Sequence, residues 1–394
     1  MSRAHLAHRL DGIPPTIFTT MSALAMRTGA VNLGQGFPDA DGPASVLAAA
    51  DRAMRSGANQ YAPGPGVPVL RQAIARHQQR HYGLDLDPDG QVVVTTGCTE
   101  GVAAALLGLV DAGDEVVVLE PYYDSYVAMI QMAGGVRRPV TLRAPDFRLD
   151  ADELRAAVGP RTRFVLLNSP HNPTGTVLTR AELQAVADVA IEHDLVVITD
   201  EVYEHLTYPD DDDGDEHAHV PISTLPGMFE RTLTLSSAGK SYSVTGWKIG
   251  WATGPAELVG AVLAAKQWLT FTSGSPLQPA IATALDDEPD WPRTLARDLQ
   301  ERRDLLCEGL TGLGVDVRRP EGTYFALTDI TSLGWKDGME FCLALPERAG
   351  VVAIPAQPFH DSDAGDQLVR WAFCKETAVI EEALARLGAA DLSA

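Results

Sequence analysis

The chain has 394 residues, of which 45% are hydrophobic, so it can bury a large core and has room for roughly two or three domains. Its formal net charge of −22 opposes binding to nucleic acid or to anionic lipid, because both are negatively charged. Its apolar stretches are too short to cross a bilayer, and no apolar export signal follows Met1. These features exclude a disordered chain, and we expect a cytoplasmic protein with no nucleic-acid or membrane partner.

The cysteines and the acidic residues give no sign of a metal site. The acidic run Asp210 to Glu216 is typical of a solvated loop, since nothing in it fixes a coordination geometry. The cysteines have no CxxC spacing and no neighbouring histidine, so neither a zinc site nor a disulfide framework is expected. They are Cys98, Cys307, Cys342 and Cys374. We therefore expect a reducing compartment and no bound metal.

Up to about Pro279, short β-branched runs alternate with amphipathic stretches such as Arg180 to His193. This alternation is typical of βαβ units and predicts an α/β fold, with a mainly parallel central sheet and helices on both faces. The predicted strands are Gln91–Thr96, Glu115–Leu119, Phe164–Leu167, Leu195–Thr199 and Thr232–Leu235.

The pattern changes after Pro279. A long charged helix is predicted from Trp291 to Leu310. Short strands are predicted after it, at Val315–Val317, Tyr324–Leu327 and Leu368–Phe373. We expect a large domain at residues 36–280 and a smaller α+β domain at residues 281–394, to which the N-terminal segment 1–35 also contributes.

In an open α/β sheet, ligands bind at the carboxyl ends of the strands, so the residues after each predicted strand are candidates for a site. After the first strand, Thr95 to Gly101 opens the apolar helix Val102 to Leu109. Free backbone N–H groups at this helix start, near Cys98, and the Thr99 hydroxyl can hold a phosphate. A plain strand-to-helix turn would have the same sequence pattern.

Two further strand ends carry polar side chains. The turn Asn168 to Gly175 is made rigid by prolines and can hold the Asn172 amide against a ligand oxygen, although an ordinary Asn-Pro turn is the alternative. Asp200 follows an apolar strand, where a carboxylate can keep a ring nitrogen of a ligand protonated. An N-capping aspartate is the alternative for this residue.

A lysine and an arginine complete the set of candidates. Lys240 follows a strand end, where a lysine of lowered pKa can form a Schiff base, while Ser237 and Lys248 can bracket a phosphate. Solvated surface lysines are the alternative, but the flanking residues are small or apolar. Arg370 lies within an apolar strand and needs an anionic partner, either a substrate carboxylate or an internal salt bridge.

In this order the motifs resemble those of the class I aminotransferases, which are pyridoxal-phosphate enzymes of fold type I. The motifs are Gly-x-Thr, Asn-Pro-x-Gly, Asp-x-x-Tyr, Ser-x-x-Lys, Gly-x-Lys-x-Gly and a late arginine, and they cover almost the whole chain. Asn32–Asp39 and Glu120–Tyr126 are similar to the kynurenine, glutamine and methionine aminotransferase branch, and within it to bacterial N-succinyldiaminopimelate aminotransferases. The resemblance implies pyridoxal 5'-phosphate (PLP) as the cofactor.

The resemblance also implies roles for individual residues. The catalytic residues would be Lys240, which forms the internal aldimine and shuttles the proton, Asp200, which pairs with the pyridine nitrogen, and Tyr203. The other cofactor contacts would be Asn172 and Tyr203 at the ring hydroxyl, Tyr123 on the ring face, and Cys98, Thr99, Ser237 and Lys248 at the phosphate.

The resemblance further implies a homodimer with shared active sites, in which Tyr61 reaches the phosphate bound by the neighbouring subunit. Arg370 would bind the α-carboxylate of the substrate, assisted by Asn172 and by the backbone of Gly36. Phe18 would lie over the substrate side chain.

Two departures from the branch bear on the substrate. Members specific for aromatic substrates have a tyrosine where Thr99 stands, and bulky side chains from the partner subunit where Thr272–Ser275 stands. A roomier and more polar pocket is therefore expected. It favours N-succinyl-LL-diaminopimelate as the amino donor and 2-oxoglutarate as the acceptor of a ping-pong transamination.

Three alternative functions stay open at this point. The first is a broad-specificity kynurenine, glutamine and methionine aminotransferase, and the second is a side activity as a cysteine-S-conjugate β-lyase, which uses the same cofactor. The third is a non-enzymatic regulator with the same fold. It is disfavoured because Met1 to Pro38 leaves no room for a DNA-binding helix-turn-helix before the motifs begin.

Overall fold

A computed structural model describes residues 7–208 and 218–394, so the acidic run Asp210 to Glu216 lies outside the described residues. The helices are α1 Ile17–Thr28, α2 Ala44–Arg55, α3 Pro68–Tyr82, α4 Gly97–Leu109, α5 Asp124–Ala133, α6 Ala151–Ala157, α7 Arg180–Glu192, α8 Ala238–Ser241, α9 Ala256–Leu269, α10 Leu277–Asp287, α11 Trp291–Gly312, α12 Gly338–Ala349 and α13 Thr377–Ala389. None of the described helices is both long and apolar enough to cross a membrane.

The strands fall into three sheets. Their bounds are β1 Val31–Asn32, β2 Val92–Thr96, β3 Glu115–Glu120, β4 Val136–Thr141, β5 Thr162–Asn168, β6 Val196–Asp200, β7 Thr232–Ser237, β8 Ile249–Thr253, β9 Asp316–Arg318, β10 Phe325–Asp329, β11 Val351–Val352, β12 Ile354–Pro355 and β13 Leu368–Ala372.

The central sheet has seven strands in the order β2-β8-β7-β6-β5-β3-β4. The pairings of β7, β6, β5, β3 and β4 are parallel, whereas β8 runs antiparallel to both of its neighbours. The predicted α/β class with a mainly parallel sheet is confirmed. The strands predicted in this region all exist, but β4 and β8 were not predicted, because β4 contains two arginines and a proline and β8 contains a glycine.

Helices cover both faces of this sheet. In β2, Val93 packs into the core cluster that contains Val102 of α4, whereas Val92 and Val94 pack into a second cluster with Ile74 of α3. Alternate residues of a strand point to opposite faces, so both faces of β2 are buried. Burial of each such side chain contributes about 1.5–3 kcal/mol.

The remaining strands form smaller sheets near the C-terminus. The four-stranded sheet has the order β12-β13-β10-β9, and its pairings are antiparallel. Strand β1 pairs in parallel with β11, so the N-terminal segment is joined to the C-terminal part of the chain. The domain limits at 35/36 and 280/281 stay predictions.

The start of β8 packs closely against the start of α4. A Cβ atom on Gly250 would lie 2.6 Å from the carbonyl carbon of Gly97, so only glycine allows this approach. Lys248, just before β8, has a positive φ of 55°. This left-handed turn brings Lys248 to the first turn of α4.

Candidate active site

A cavity of about 310 Å³ opens at the carboxyl edge of the central sheet. Except for Tyr61, the structure brings together all of the residues proposed from the sequence as site residues. The residues that line it are Phe18, Gly36, Cys98, Thr99, Tyr123, Asn172, Asp200, Tyr203, Ser237, Lys240, Lys248 and Arg370, together with others that were not proposed.

Strand register explains how these side chains meet. Asn168 at the end of β5 lies opposite Asp200 at the end of β6, and the Asn168 amide donates to the Asp200 carbonyl oxygen at 2.9 Å. The Asn168 side-chain oxygen accepts from the backbone N–H of Asn172 at 2.8 Å. Asn168 thereby fixes the turn that carries Asn172, a role that the sequence analysis missed.

Asp200 is a buried carboxylate at the floor of the cavity. It accepts a hydrogen bond of 2.7 Å from the Tyr126 hydroxyl and one of 3.2 Å from the backbone N–H of Val202. Burial raises the pKa of Asp200, while these hydrogen bonds and the charge of Lys240 oppose the rise. No basic side chain of the described residues forms an ion pair with it, so its negative charge is available to a cationic ligand.

Tyr126 was quoted within a motif of the sequence but was not proposed as a site residue. Its position on the first turns of α5 brings the hydroxyl to Asp200. Only the three-dimensional arrangement shows this contact, because the two residues are separated by 74 positions.

Lys240 lies in the short helix α8, immediately after β7. Its ammonium group donates to the Tyr324 hydroxyl at 2.7 Å and to the Gly36 carbonyl oxygen at 3.3 Å. Burial lowers the pKa of Lys240 to about 8, well below that of an ordinary lysine. A sizeable neutral fraction near physiological pH gives the amine its nucleophilic form.

Tyr324 is a third residue whose role the sequence analysis missed, after Asn168 and Tyr126. It is fully buried just before β10, and its hydroxyl donates to the Gly36 carbonyl oxygen at 2.5 Å. A Cβ atom on Gly36 would lie 2.5 Å from the Phe325 ring, so glycine is needed where this backbone enters the site. The Gly36 carbonyl oxygen thus accepts hydrogen bonds from Lys240 and Tyr324. Arg370 donates instead to the carbonyl oxygen of Gly34.

One end of the cavity is suited to a phosphate group. The first turn of α4, at Gly97, Cys98 and Thr99, presents backbone N–H groups without helical partners. The Lys248 ammonium group donates to the Thr99 hydroxyl at 3.4 Å, and Ser237 ends the neighbouring strand β7. A cation, hydroxyl groups and a helix N-terminus therefore converge on one place.

Arg370 also lines the cavity and is 1% exposed. Its guanidinium group donates to the Asn172 side-chain oxygen at 2.9 Å and to the Gly34 carbonyl oxygen at 3.0 Å, and its Nε atom has no hydrogen-bond partner. Burial lowers the pKa of Arg370 to about 10, so it stays charged at neutral pH. The internal salt bridge considered from the sequence is absent among the described residues, which leaves this cation free for an anionic ligand.

Aromatic rings line the space between these charged groups. The guanidinium carbon of Arg370 lies 3.9 Å from the Phe325 ring centre and 4.8 Å from that of Phe18. The ring centres of Phe18 and Tyr123 are 6.2 Å apart. Burial raises the pKa of the Tyr123 hydroxyl to about 12. Tyr203 packs edge-on against Tyr324, and burial raises its pKa as well. These phenols are neutral at physiological pH and can donate hydrogen bonds.

Tyr61 lies outside the cavity of its own chain. Its side chain is 83% exposed and packs edge-on against Phe271, with ring centres 5.4 Å apart. Tyr61 therefore does not line the cavity of its own chain. Its contact with the phosphate bound by a neighbouring subunit stays a prediction.

The comparison with known families agrees with this constellation. The family described as "Aminotransferase class I and II" matches residues 28–387, which is nearly the whole chain. The chain belongs to the class I and II aminotransferases. It is a PLP-dependent transaminase of fold type I, as the sequence analysis predicted.

Two relatives and one solved structure illustrate the likeness. The chain is 52% identical to a probable N-succinyldiaminopimelate aminotransferase, DapC, from Mycobacterium tuberculosis, over 96% of this chain and 97% of the relative. It is 39% identical to a methionine aminotransferase from Escherichia coli, over 96% and 97%. The solved structure of N-succinyldiaminopimelate aminotransferase from M. tuberculosis superimposes with a TM-score of 0.94 at 52% identity, covering 98% of this chain and 99% of that one.

The donor set of the cavity fits PLP. The phosphate end has a cation and a helix N-terminus, the floor has a buried carboxylate without an ionic partner, and Lys240 lines the same cavity. An anionic phosphate and a protonated ring nitrogen would satisfy the groups at both ends.

Lys240 yields a prediction about pH. Because its pKa is lowered to about 8, its amine in the cofactor-free protein is protonated below that pH and neutral above it. Acylation of Lys240 by an amine-reactive reagent should rise about tenfold per pH unit below pH 8 and level off above it, as quantified by peptide mass spectrometry. A rate that keeps rising to pH 10, as for an ordinary lysine, would contradict the lowered pKa.

Proposed function

We propose that this chain transfers the amino group of N-succinyl-LL-diaminopimelate to 2-oxoglutarate by a ping-pong mechanism. The observation that carries the proposal is the buried Arg370, which has a free Nε atom and no ionic partner among the described residues. An arginine in this position suits the carboxylate that both substrates share. The 52% identity to the M. tuberculosis relative supports the choice of donor.

The cofactor, when bound, supplies a carbonyl group that exchanges amino groups and a conjugated ring that accepts electrons. Lys240 is then the residue that binds the cofactor covalently and, once released, moves a proton at the substrate Cα atom. Its Nζ atom is held by the Tyr324 hydroxyl and the Gly36 carbonyl oxygen, which fix its position relative to the cavity floor. Tyr324 is therefore a positioning residue for Lys240.

Asp200 holds the ring nitrogen in its protonated form, because a neighbouring anion favours the cation. Tyr126 and the Val202 N–H hold the carboxylate in place and in its charged form. Asn172 and Tyr203 would hold the ring hydroxyl and Tyr123 the ring itself, since all three line the cavity. Cys98, Thr99, Ser237 and Lys248 would hold the phosphate.

Arg370 binds the α-carboxylate of each substrate. Asn172 orients the guanidinium group by accepting one of its hydrogen bonds, and the Phe325 and Phe18 rings exclude water around it. The net charge of −22 does not oppose anionic substrates inside the cleft, because at physiological salt exposed charges are screened beyond roughly 8–10 Å. The local cations Arg370 and Lys248 dominate there.

The chain functions as a homodimer with shared active sites in this proposal. An exposed apolar cluster that we call the aromatic patch supports it; it consists of Tyr61, Trp268, Leu269 and Phe271. Trp268 is 83% exposed, which is costly for a ring of that size in water. The Lys266 ammonium group links the two chain segments of the patch, because it donates to the carbonyl oxygens of Gly64 and Phe271 at 2.9 and 3.2 Å.

The patch also lies close to the phosphate end of the cavity. The Thr96 hydroxyl, one residue before α4, is 3.2 Å from the Thr270 hydroxyl within the patch region. In a twofold dimer the same patch packs against its own copy, so a residue at its edge can reach the partner's cavity. We therefore assign Tyr61 to the phosphate of the neighbouring subunit.

A cytoplasmic location is part of the same proposal. It is supported by four buried cysteines that form no disulfide.

Asp200 provides the first test of the mechanism. Asp200→Asn keeps the shape and removes the charge, so the rate of the first half-reaction should fall by at least about 100-fold, equivalent to roughly 2.7 kcal/mol. Tyr126→Phe, which removes one hydrogen bond to the carboxylate, should cause a smaller loss. Single-turnover stopped-flow absorbance measures both rates, with cofactor content as the control for folding. A rate within about threefold of wild type for Asp200→Asn would show that this role is wrong.

Arg370 provides the second test. Arg370→Lys keeps a positive charge but cannot form the planar bidentate pair, so KM for the amino acid and for the 2-oxoacid should both rise by at least about tenfold. Cofactor binding should persist. Arg143→Lys, an exposed arginine outside the cavity, is the matched control and should leave both constants unchanged. Unchanged KM values for Arg370→Lys would instead favour a structural role.

The amino donor is tested by steady-state kinetics. With 2-oxoglutarate as the acceptor, kcat/KM for N-succinyl-LL-diaminopimelate should exceed the values for kynurenine, glutamine and methionine by at least about tenfold, or roughly 1.4 kcal/mol. If glutamine or methionine is the better donor, the broad-specificity alternative replaces this proposal. Pyruvate formation from a cysteine S-conjugate would reveal the β-lyase side activity.

The dimer is tested by variants of the aromatic patch. Trp268→Asp should convert a species of two chains into one of a single chain in sedimentation velocity, because it places a charge in the apolar contact. Leu343→Asp is the control, since Leu343 is 46% exposed on α12.

Tyr61 itself is tested by PLP binding. Tyr61→Phe should keep the dimer and weaken PLP binding about tenfold, as expected for loss of one hydrogen bond to a charged group. Unchanged PLP affinity for Tyr61→Phe would contradict the assignment of that residue.

A further inference from the structure

Three histidines meet outside the active-site cavity. His77 and His81 lie one turn apart on α3, and His205 lies in the turn that follows Asp200 at the end of β6. Residues four apart on a helix share one face, so both α3 side chains point toward the same neighbour. None of the three lines the active-site cavity.

The imidazole nitrogens converge closely enough to share one ion. One ring nitrogen from each histidine lies within 4.8 Å of the others. The Nε2 atoms of His77 and His205 are 2.7 Å apart, and the ring centres of the three pairs are 4.6, 4.9 and 4.8 Å apart. Zinc–nitrogen bonds of 2.0–2.1 Å in a tetrahedron place ligand nitrogens about 3.4 Å apart, which small ring rotations reach from this arrangement.

The surroundings keep these rings in the form that binds metals. Burial lowers the pKa of His81 and of His205 to about 4, and it holds the pKa of His77 well below its usual range, so all three are neutral at physiological pH. Neutral imidazole is the coordinating form. Arg80 and Arg293 oppose a cation near His81, while Glu204 favours it.

An ion can reach the three histidines from solvent, and the turn that carries His205 is held in place by hydrogen bonds. His77 is buried and His205 is half-buried, but His81 is exposed and opens the cluster to solvent. Glu204, next to His205, accepts hydrogen bonds from the Tyr82 hydroxyl at 2.6 Å and from the Ser236 hydroxyl at 2.5 Å. The turn that carries His205 is thereby held against α3 and β7, so the cluster rests on ordered elements.

We propose that His77, His81 and His205 form a binding site for a divalent transition-metal ion of the zinc type, with a fourth coordination position open to water. Three histidines and one open position are a known ligand set for Zn²⁺. Because His205 and the cavity residues Asp200 and Tyr203 share one short turn, a bound ion ties α3 to the turn that carries them. The ion would stabilise the folded chain by binding it in preference to the unfolded one.

Zinc binding by the tag-free holoenzyme tests this site. Competition with a fluorescent zinc chelator should show one tight Zn²⁺ site per chain in the wild type. His81→Ala should weaken that site by more than roughly 100-fold, since losing a ligand costs more than losing an outer partner of a ligand. His193→Ala removes an exposed histidine elsewhere, at the residue that follows α7, and should leave the affinity unchanged.

A second variant and a second measurement separate binding from folding. His205→Gln should weaken zinc binding in the same way, and the thermal midpoint without metal confirms that each variant is folded. Zn²⁺ should raise the midpoint of the wild type but not that of His81→Ala. The proposal is overturned if the wild type takes up no zinc in stoichiometric amount, or if His81→Ala and the wild type bind it equally well.

Discussion

The parallel pairing of β5, β6 and β7 is the constraint on which the rest of the site depends. Because parallel strands end at the same edge, Asn168 and Asp200 lie side by side, and Lys240 follows at the end of the next strand. The antiparallel β8 starts at that edge, so Lys248 arrives from the opposite direction. A shift of β6 by one residue would turn Asp200 to the other face of the sheet and separate it from Tyr126.

Two buried charges define what this edge can bind. Asp200 and Arg370 form no ion pair with any described residue, although burial of an unpaired charge is costly. Burial shifts the pKa of each group toward its neutral form, upward for Asp200 and downward for Arg370. In the proposed function, a protonated ring nitrogen and a substrate carboxylate would satisfy both. The folded chain would then carry an electrostatic cost that its cofactor and substrate relieve, as is typical of functional sites.

The site residues at the carboxyl edge of the sheet could be predicted from the sequence, whereas the residues that hold them in place could not. Asp200 and Lys240 follow apolar strands, and strand ends are where ligands bind in α/β sheets, so local pattern was enough to propose them. Tyr126 and Tyr324 hold these two residues across 74 and 84 positions of sequence, a distance at which no local pattern acts. His205 joins the two histidines of α3 in the same way, which is why no metal site was expected from the sequence. The proposed dimer rests on a surface that only the folded chain presents.

Locating the covalent attachment of the cofactor tests the central claim most directly. Borohydride reduction of the PLP-loaded protein, followed by proteolysis and peptide mass spectrometry, should place one pyridoxyl group per chain on the peptide that contains Lys240, and Lys240→Ala should carry none. This result would tie the carboxyl edge of the sheet to the chemistry of transamination. Attachment to Lys248, Lys266 or another residue, or a Lys240→Ala protein that still retains the group after reduction, would contradict the account.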